Sequence, residues 1–455
     1  MLTSRAPTGR TVTWACGTLP VPLDYDEPDG DQLELAVVRG TVQGPRDRIG
    51  SLVVNPGGPG ASGNDLALNL AYALPLDVVR GFDIVGVDPR GVNLSDPVEC
   101  ISDAQTDAVF DAEPYARDDT EFAALVTLAE QVAGSCQDAY GDDLGAFNTT
   151  DSARDLEELR AALGDEQLTY LGYSYGTTLG STYAEMYPER VRALVLDGAV
   201  DPTLGEMASA RAQAGGFTDA FAAFTQACTD NAPCAAGPDP AATMTSALDA
   251  ARRQPLPVEG SGRTVAVGLV FTGILGALYR EENWPALALA LGQATAGDGT
   301  GMAALADAYT GRRTNGTYPN RLESNYAVNC ADTDEVFGDA EIRAFVAELR
   351  AQYPLFGAPI AANLLTCSHW RAPRTPLPVR DADGAAAILV VGTRNDPATP
   401  YSGAVAMARD LQSATLLTWD GEGHTAYPKT HCVTAAVDDY LLNLAMPDKL
   451  TCPAQ

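Results

Sequence analysis

Short apolar runs alternate with longer stretches whose apolar positions recur at helical spacing through the first part of the chain. Leu33 to Val38 alternates apolar and polar residues in its first half, which predicts an edge antiparallel strand. Gly50-Ser51-Leu52-Val53-Val54 and Phe82-Asp83-Ile84-Val85-Gly86-Val87 read as buried strands. Thr120 to Ala139 carries apolar residues at helical spacing, and Ser152 to Leu163 is a second predicted helix, opened by Thr150-Asp151. Leu168 to Leu171 reads as a strand, Thr177 to Met186 as a helix stopped near Pro188, and Val191 to Asp197 as a further strand. Strands alternating with helices predict an α/β fold with a mainly parallel central sheet covered by helices on both faces.

The rhythm then changes. From about Leu204 to Arg374 the chain is Ala-rich and mostly helical, with no comparable strand run. Strand signals resume at Ala387 to Val391 and at Ala414 to Thr418, and Ala435 to Leu444 reads as a closing helix. The expected organisation is a core in two pieces, residues 1–203 and 375–455, with an inserted helical cap over 204–374. Both pieces are then needed to build any site.

The 455 residues are 46% hydrophobic, enough for a large core, and no apolar run approaches a membrane span. With 60 acidic and 29 basic residues the net charge is −31, which repels phosphate backbones and excludes nucleic acid as a partner. The same field attracts cationic substrates, such as peptides with a free amine. None of the nine cysteines forms C-x-x-C, and no Cys/His cluster has zinc spacing, so no metal is implied, nor any organic cofactor. Cys228 and Cys234 bracket the polar loop Thr229 to Pro233, and Cys432 and Cys452 flank the final helix. These placements predict disulfides, with Cys100, Cys136, Cys330 and Cys367 as the further members and Cys16 as the odd thiol. Disulfides favour a secreted protein, whereas Met1 to Pro7 lacks the apolar core of a signal peptide. A cytosolic chain and a mature chain behind an added Met1 both fit that opening.

Gly172-Tyr173-Ser174-Tyr175-Gly176 is the one G-x-S-x-G of the sequence, and it lies between a predicted strand and a predicted helix. That context predicts a nucleophile elbow, a sharp turn that lifts the serine hydroxyl out of the sheet and demands glycine on either side. A serine hydroxyl needs a base, and the base needs an orienting acid. Of His369, His424 and His431, only His424 lies in a glycine-flanked loop after a late strand, Gly421-Glu422-Gly423-His424. His369 falls in the cap interval, and His431 begins a helix beside Cys432. Asp396 follows the strand ending at Val391 and precedes His424 by 28 residues, which gives the chain order serine, acid, histidine. Asp420 and Glu422 are too near His424 in sequence to approach it from another strand end. The Tyr175 N–H and the glycine loop Asn55-Pro56-Gly57-Gly58-Pro59-Gly60 are the candidate oxyanion donors. Asp88-Pro89-Arg90-Gly91 reads as a hydrogen-bonded structural turn.

Together these residues resemble the α/β-hydrolase fold, and more narrowly the actinobacterial tripeptidyl aminopeptidases and their prolyl-aminopeptidase-like relatives. The matching stretches are VPLDYDEP from Val21, NPGGPGASG from Asn55, FDIVGVDPRGVNLS from Phe82, GYSYGTTLG from Gly172, NDPATP from Asn395 and GEGH from Gly421, with Cys330, Cys367, Cys432 and Cys452. The resemblance covers most of the chain and is weakest in the cap. It departs at Asn55, where the prolyl-aminopeptidase pattern has histidine, and at Asn93, where glycine is usual. It implies a serine hydrolase with Ser174, Asp396 and His424 as its triad and Gly58 and Tyr175 at the oxyanion hole. The implied reaction is release of short N-terminal peptides through an acyl-enzyme. Carboxylates at the junction of cap and core would then hold the free α-amine, with Glu206, Glu323 and Asp332 as candidates beside Gly57. The alternative is an esterase, amidase or acyl-transfer enzyme acting on a small metabolite with the same triad. A non-catalytic binding protein on this scaffold would have no use for an intact triad.

Overall fold

A computed structural model describes the chain except residues 1, 6–8, 45–47, 202, 231–232, 379–380 and 455. Met1, Ala6 and Pro7 of the opening segment, and Asn231 and Ala232 of the Cys228–Cys234 loop, therefore lie outside the described residues. In chain order the strands are β1 (Leu2–Arg5), β2 (Thr11–Pro22), β3 (Gln32–Val42), β4 (Gly50–Asn55), β5 (Phe82–Val87), β6 (Leu168–Tyr173), β7 (Val191–Asp197), β8 (Leu256–Pro257), β9 (Thr264–Val265), β10 (Ile388–Asn395), β11 (Ala414–Glu422) and β12 (Thr451–Cys452). Helices α1 (Gly63–Ala73) and α2 (Leu76–Gly81) join β4 to β5, and α3 (Asp103–Asp111), α4 (Asp119–Tyr140) and α5 (Thr149–Leu163) lead to β6. α6 (Tyr175–Met186) follows β6. Beyond β7 come α7 (Glu206–Asp230), α8 (Pro240–Arg253), α9 (Val267–Leu278), α10 (Trp284–Thr295), α11 (Thr300–Thr310), α12 (Arg321–Ala331), α13 (Asp339–Gln352), α14 (Gly357–Ala362) and α15 (Leu364–Ser368). α16 (Tyr401–Asp410) lies between β10 and β11, and α17 (His431–Asn443) before β12.

One ten-stranded sheet runs β1-β2-β3-β5-β4-β6-β7-β10-β11-β12. β1, β2 and β3 pair antiparallel, β3 pairs antiparallel with β5, and the pairings from β5 to β12 are parallel. Every residue of β4, β5 and β6 is buried, which is why these strands read as continuous apolar runs. Residues of α1, α2 and α17 form the core on one face, and residues of α5, α6 and α16 on the other. This is the α/β-hydrolase fold. The order reverses at β4: β5 returns to one side of it and β6 to the other. Such a reversal leaves a crevice outside the carboxyl ends of the two central strands. Here those ends carry Asn55 and Ser174.

The expectation that Leu33–Val38 forms an edge is corrected. β3 is flanked by β2 and β5, and β1 is the described edge. β2 escaped the pattern because Gly17, Pro20 and Pro22 interrupt its alternation, and the prolines are tolerated where β2 has run past its pairing with β1. Element ends also moved. α5 starts at Thr149 because the Asn148 side chain caps it by accepting the Asp151 N–H at 2.8 Å. α17 starts at His431 behind its Thr430 cap.

The 204–374 interval is helical apart from the short β8–β9 hairpin. Its core draws in Tyr115, Phe122 and Ala129 from the earlier chain, while Ala327, Val328 and Cys330 pack with the sheet. Four disulfides join Cys100 to Cys136, Cys228 to Cys234, Cys330 to Cys367 and Cys432 to Cys452, and Cys16 is free and exposed. Among the described residues no helix is long and apolar enough to cross a membrane. Arg90 is completely buried and forks onto Asp155 at 2.8 and 2.7 Å, with three backbone carbonyls taking its remaining N–H groups. Asp88 accepts from Ser62 Oγ and Asn93 Nδ2, so this turn is a scaffold for the loops at the sheet edge. Asn93 has φ 50°, a left-handed backbone state that glycine adopts without strain and asparagine tolerates.

Candidate active site

Ser174 sits between β6 and α6 with φ 54° and ψ −125°, a strained state for any residue with a side chain. It is held there by its N–H on the Asp197 carbonyl at 3.0 Å and by Thr177, whose N–H and hydroxyl both donate to the Ser174 carbonyl. The flanking glycines are steric necessities. A Cβ on Gly172 would overlap the Gly176 carbonyl, and one on Gly176 would lie 2.9 Å from Asn55 Oδ1.

Asp396 and His424 stand immediately beyond the ends of β10 and β11, which are parallel neighbours in register at Asn395 and Glu422. Gly421 and Glu422, expected in a loop, are the last residues of β11. His424 Nδ1 lies 2.9 Å from both Asp396 oxygens. The carboxylate also accepts the N–H groups of Ala398, Thr399 and Thr425, which fix it from the other side. An imidazole that donates from Nδ1 presents a basic Nε2. Its ring is confined by Tyr279, edge-on at 5.3 Å and 88°, and by Thr399 Oγ1 at 3.3 Å from Nδ1. Its backbone is confined too: the His424 N–H donates to the Tyr279 carbonyl at 2.8 Å, and Lys429 Nζ donates to the His424 carbonyl.

One dipeptide, Asp197–Gly198, touches both the serine turn and the histidine ring. The Ser174 N–H is bonded to Asp197, and a Cβ on the next residue, Gly198, would lie 3.1 Å from His424 Cε1. The Asp197 carboxylate turns the other way and accepts the N–H groups of Ala426 and Tyr427, anchoring the histidine loop to β7. Burial pushes its pKa up to about 6, against the pull of those N–H groups and of Lys429 and His424. Sequence reasoning missed Asp197, Gly198, Tyr279 and Thr399. Asp197 ends an apolar strand and Gly198 follows it, so both read as a strand end; the other two act through contacts made only on folding.

The glycine loop lies against the elbow. A Cβ on Gly57, at φ 87°, would come within 2.5 Å of the Tyr173 carbonyl and 3.0 Å of the Tyr175 nitrogen. Asn55 Oδ1 accepts the Gly57 N–H at 2.8 Å, so the residue in place of histidine shapes the loop. Gly58 follows with φ 111° and a cis bond to Pro59.

Of the three carboxylates proposed for an amine, Glu206 lies on α7 while Glu323 and Asp332 lie at opposite ends of α12. Glu206 opens α7, half-buried, and burial followed by Glu335 raises its pKa. Glu323 is buried in the first turn of α12, and burial, with Glu99 and Asp103 nearby, pushes it up to about 7. Asp332 follows α12 and accepts both the N–H and the hydroxyl of Thr149. His369 pairs with Asp339 at 3.0 Å, and His431 is exposed at the start of α17; neither joins the Ser174 group.

The description of TAP-like proteins matches residues 353–452, the stretch that carries Asp396 and His424. The chain is 40% identical over 453 residues to serine protease Hip1 of Mycobacterium tuberculosis, covering 95% of this chain and 86% of that protein. It is 39% identical over 466 residues to carboxylesterase B of the same organism, covering 97% and 86%. It is 31% identical over 445 residues to tripeptidyl aminopeptidase of Streptomyces lividans, covering 94% and 81%. Likeness sustained from end to end, on this topology, makes the chain a member of the TAP-like family of α/β-hydrolases.

Proposed function

We propose that the chain is a serine hydrolase of the peptidase class in which Ser174 is the nucleophile, His424 the base and Asp396 its orienting acid. The observation that carries this reading is the Asp396–His424 pair at 2.9 Å, set across the Asp197–Gly198 dipeptide from a serine at positive φ. Ser174 Oγ attacks the carbonyl carbon as His424 Nε2 takes its proton. The Tyr175 and Gly58 N–H groups hold the developing oxyanion. His424 then protonates the leaving amine, and water activated by the same nitrogen hydrolyses the acyl-enzyme.

The substrate is a peptide, and the product is a short N-terminal fragment. The similarity to tripeptidyl aminopeptidase supports this, as does the acidic surface, which favours a cationic terminus. Glu206 and Glu323 are the proposed amine ligands. We assign residues 204–374 the role of a cap over the sheet edge. Four disulfides support an oxidising, extracellular setting.

A fluorophosphonate probe should label the native chain and not Ser174→Ala. A fluorogenic tripeptide amide should be cleaved with a free amine and spared when N-acetylated. Equal rates on the two forms refute an aminopeptidase. The similarity to carboxylesterase B supports a second reading, an esterase acting on small molecules. Its sign is turnover of simple esters with no cleavage of any peptide amide.

A further inference from the structure

Helix α12 touches both sides of the proposed oxyanion site. Near its start, Asn325 Nδ2 donates to the Pro59 carbonyl at 3.1 Å. A Cβ on Gly60 would lie 2.7 Å from the Arg321 carbonyl and 3.1 Å from Ser324 Cβ, so the glycine loop rests directly on the helix. At the other end, Asp332 Oδ1 accepts the Thr149 N–H at 2.8 Å and Oδ2 accepts the Thr149 hydroxyl at 2.6 Å. Thr149 Oγ1 is also hydrogen-bonded to the Tyr175 hydroxyl. A threonine hydroxyl has one hydrogen, and here it points at Asp332. The Tyr175 hydroxyl is therefore the donor to Thr149, and the bonds run one way, from Tyr175 to Thr149 to Asp332.

Asp332 is itself tied down. The Cys330–Cys367 disulfide anchors the last turn of α12. Arg374 donates to the carbonyls of Cys330, Thr333 and Cys367. The Leu377 N–H donates to the Asp332 carbonyl, and the Thr375 N–H to that of Ala331. One rigid element thus holds the glycine loop at one end and the Tyr175 ring at the other.

We propose that α12 is a brace that sets the spacing between the two oxyanion donors. Asp332, acting through Thr149, is the positioning residue for the Tyr175 N–H, and Asn325 is the positioning residue for the Gly58 N–H. This rests on reading Gly58 and Tyr175 as oxyanion donors, and it moves Asp332 from the substrate's amine to the elbow. Two donors on separate loops stabilise an oxyanion only when both point at one spot, so an element spanning them controls the transition state rather than substrate binding.

The test uses the full chain and a chromogenic ester, with active sites counted by fluorophosphonate titration. Thr149→Val and Tyr175→Phe each remove one hydroxyl of the relay and keep the shape. Each should lower kcat per labelled site about tenfold with KM held within about twofold, a fraction of the loss expected from deleting a donor outright. The double variant should be no slower than the slower single, because both break one series of bonds. Thr149→Ser should restore the rate. Asn325→Ala, at the far end of α12, should lower kcat in the same way. Wild-type kcat per labelled site in the variants, or losses that multiply in the double, overturns the brace alone. Failure of the native chain to label overturns the hydrolase reading and the brace with it.

Discussion

Asp197→Asn separates the two jobs of a buried charge beside the loop that carries His424. The carboxylate is fully buried, and its pKa rises from the ordinary 3.8 to about 6. That gap is worth about 3 kcal/mol of preference for the protonated form in the folded chain. The folded protein therefore binds this proton more tightly than the unfolded one. The residue's contribution is greatest below about pH 4 and declines as pH rises through about 6. Asparagine removes the titration. With its oxygen at the Oδ2 position it still accepts from Ala426 and Tyr427, but it turns an NH2 group toward the Ala426 N–H at the Oδ1 position, a weakened contact costing about 1–3 kcal/mol. At pH 7 relief of the buried charge offsets most of that cost. Between pH 4 and 7 the stability of the variant relative to wild type should rise by about 2 kcal/mol. Urea unfolding of both proteins at the two pH values measures the shift. A difference that stays constant with pH, or moves the other way, refutes the assignment of the raised pKa to burial. Ester turnover at pH 7 should still fall, because the loop that carries His424 loses a charged anchor.

Further predictions address the other supports of the site. Gly198→Ala places a methyl group 3.1 Å from His424 Cε1 and 3.2 Å from Thr399 Oγ1 at φ 71°; kcat for ester hydrolysis should drop about 100-fold with little change in KM. Asp396→Asn leaves the geometry and spoils the tautomer, so kcat should fall about 10⁴-fold while fluorophosphonate labelling slows in parallel. Arg90→Leu strands Asp155 without its partner and should cost about 3–5 kcal/mol in thermal unfolding, with normal labelling of whatever stays folded.

The parallel strands and the elbow were legible because their physics is local. β4, β5 and β6 are buried on both faces and so are mostly apolar, with Ser51, Asn55, Asp83 and Thr169 as their polar members, and the turn at Ser174 admits only glycine at 172 and 176. The positions of Asp396 and His424 just past two neighbouring strands were legible from the strand order. What stayed hidden was non-local. The β1–β2 edge mixes glycine, proline and polar residues, and its place in the sheet is decided by partners. Cys100–Cys136 and Cys330–Cys367 close loops of 36 and 37 residues with no local sign of pairing. Asp197 anchors Ala426 and Tyr427 from the far end of β7, a contact that exists only once the late strands have docked.

That docking order has a consequence for biosynthesis. The ribosome releases Ser174 and the glycine loop long before it makes β10 and β11. On the proposed mechanism, a nascent chain therefore displays Ser174 with no proton acceptor and cannot attack its neighbours. The proposed acid and base arrive only when β10 and β11 join the far side of β7. On the same reading, a message cut short before residue 388, or a protease that removes the last strands, should yield a silent product.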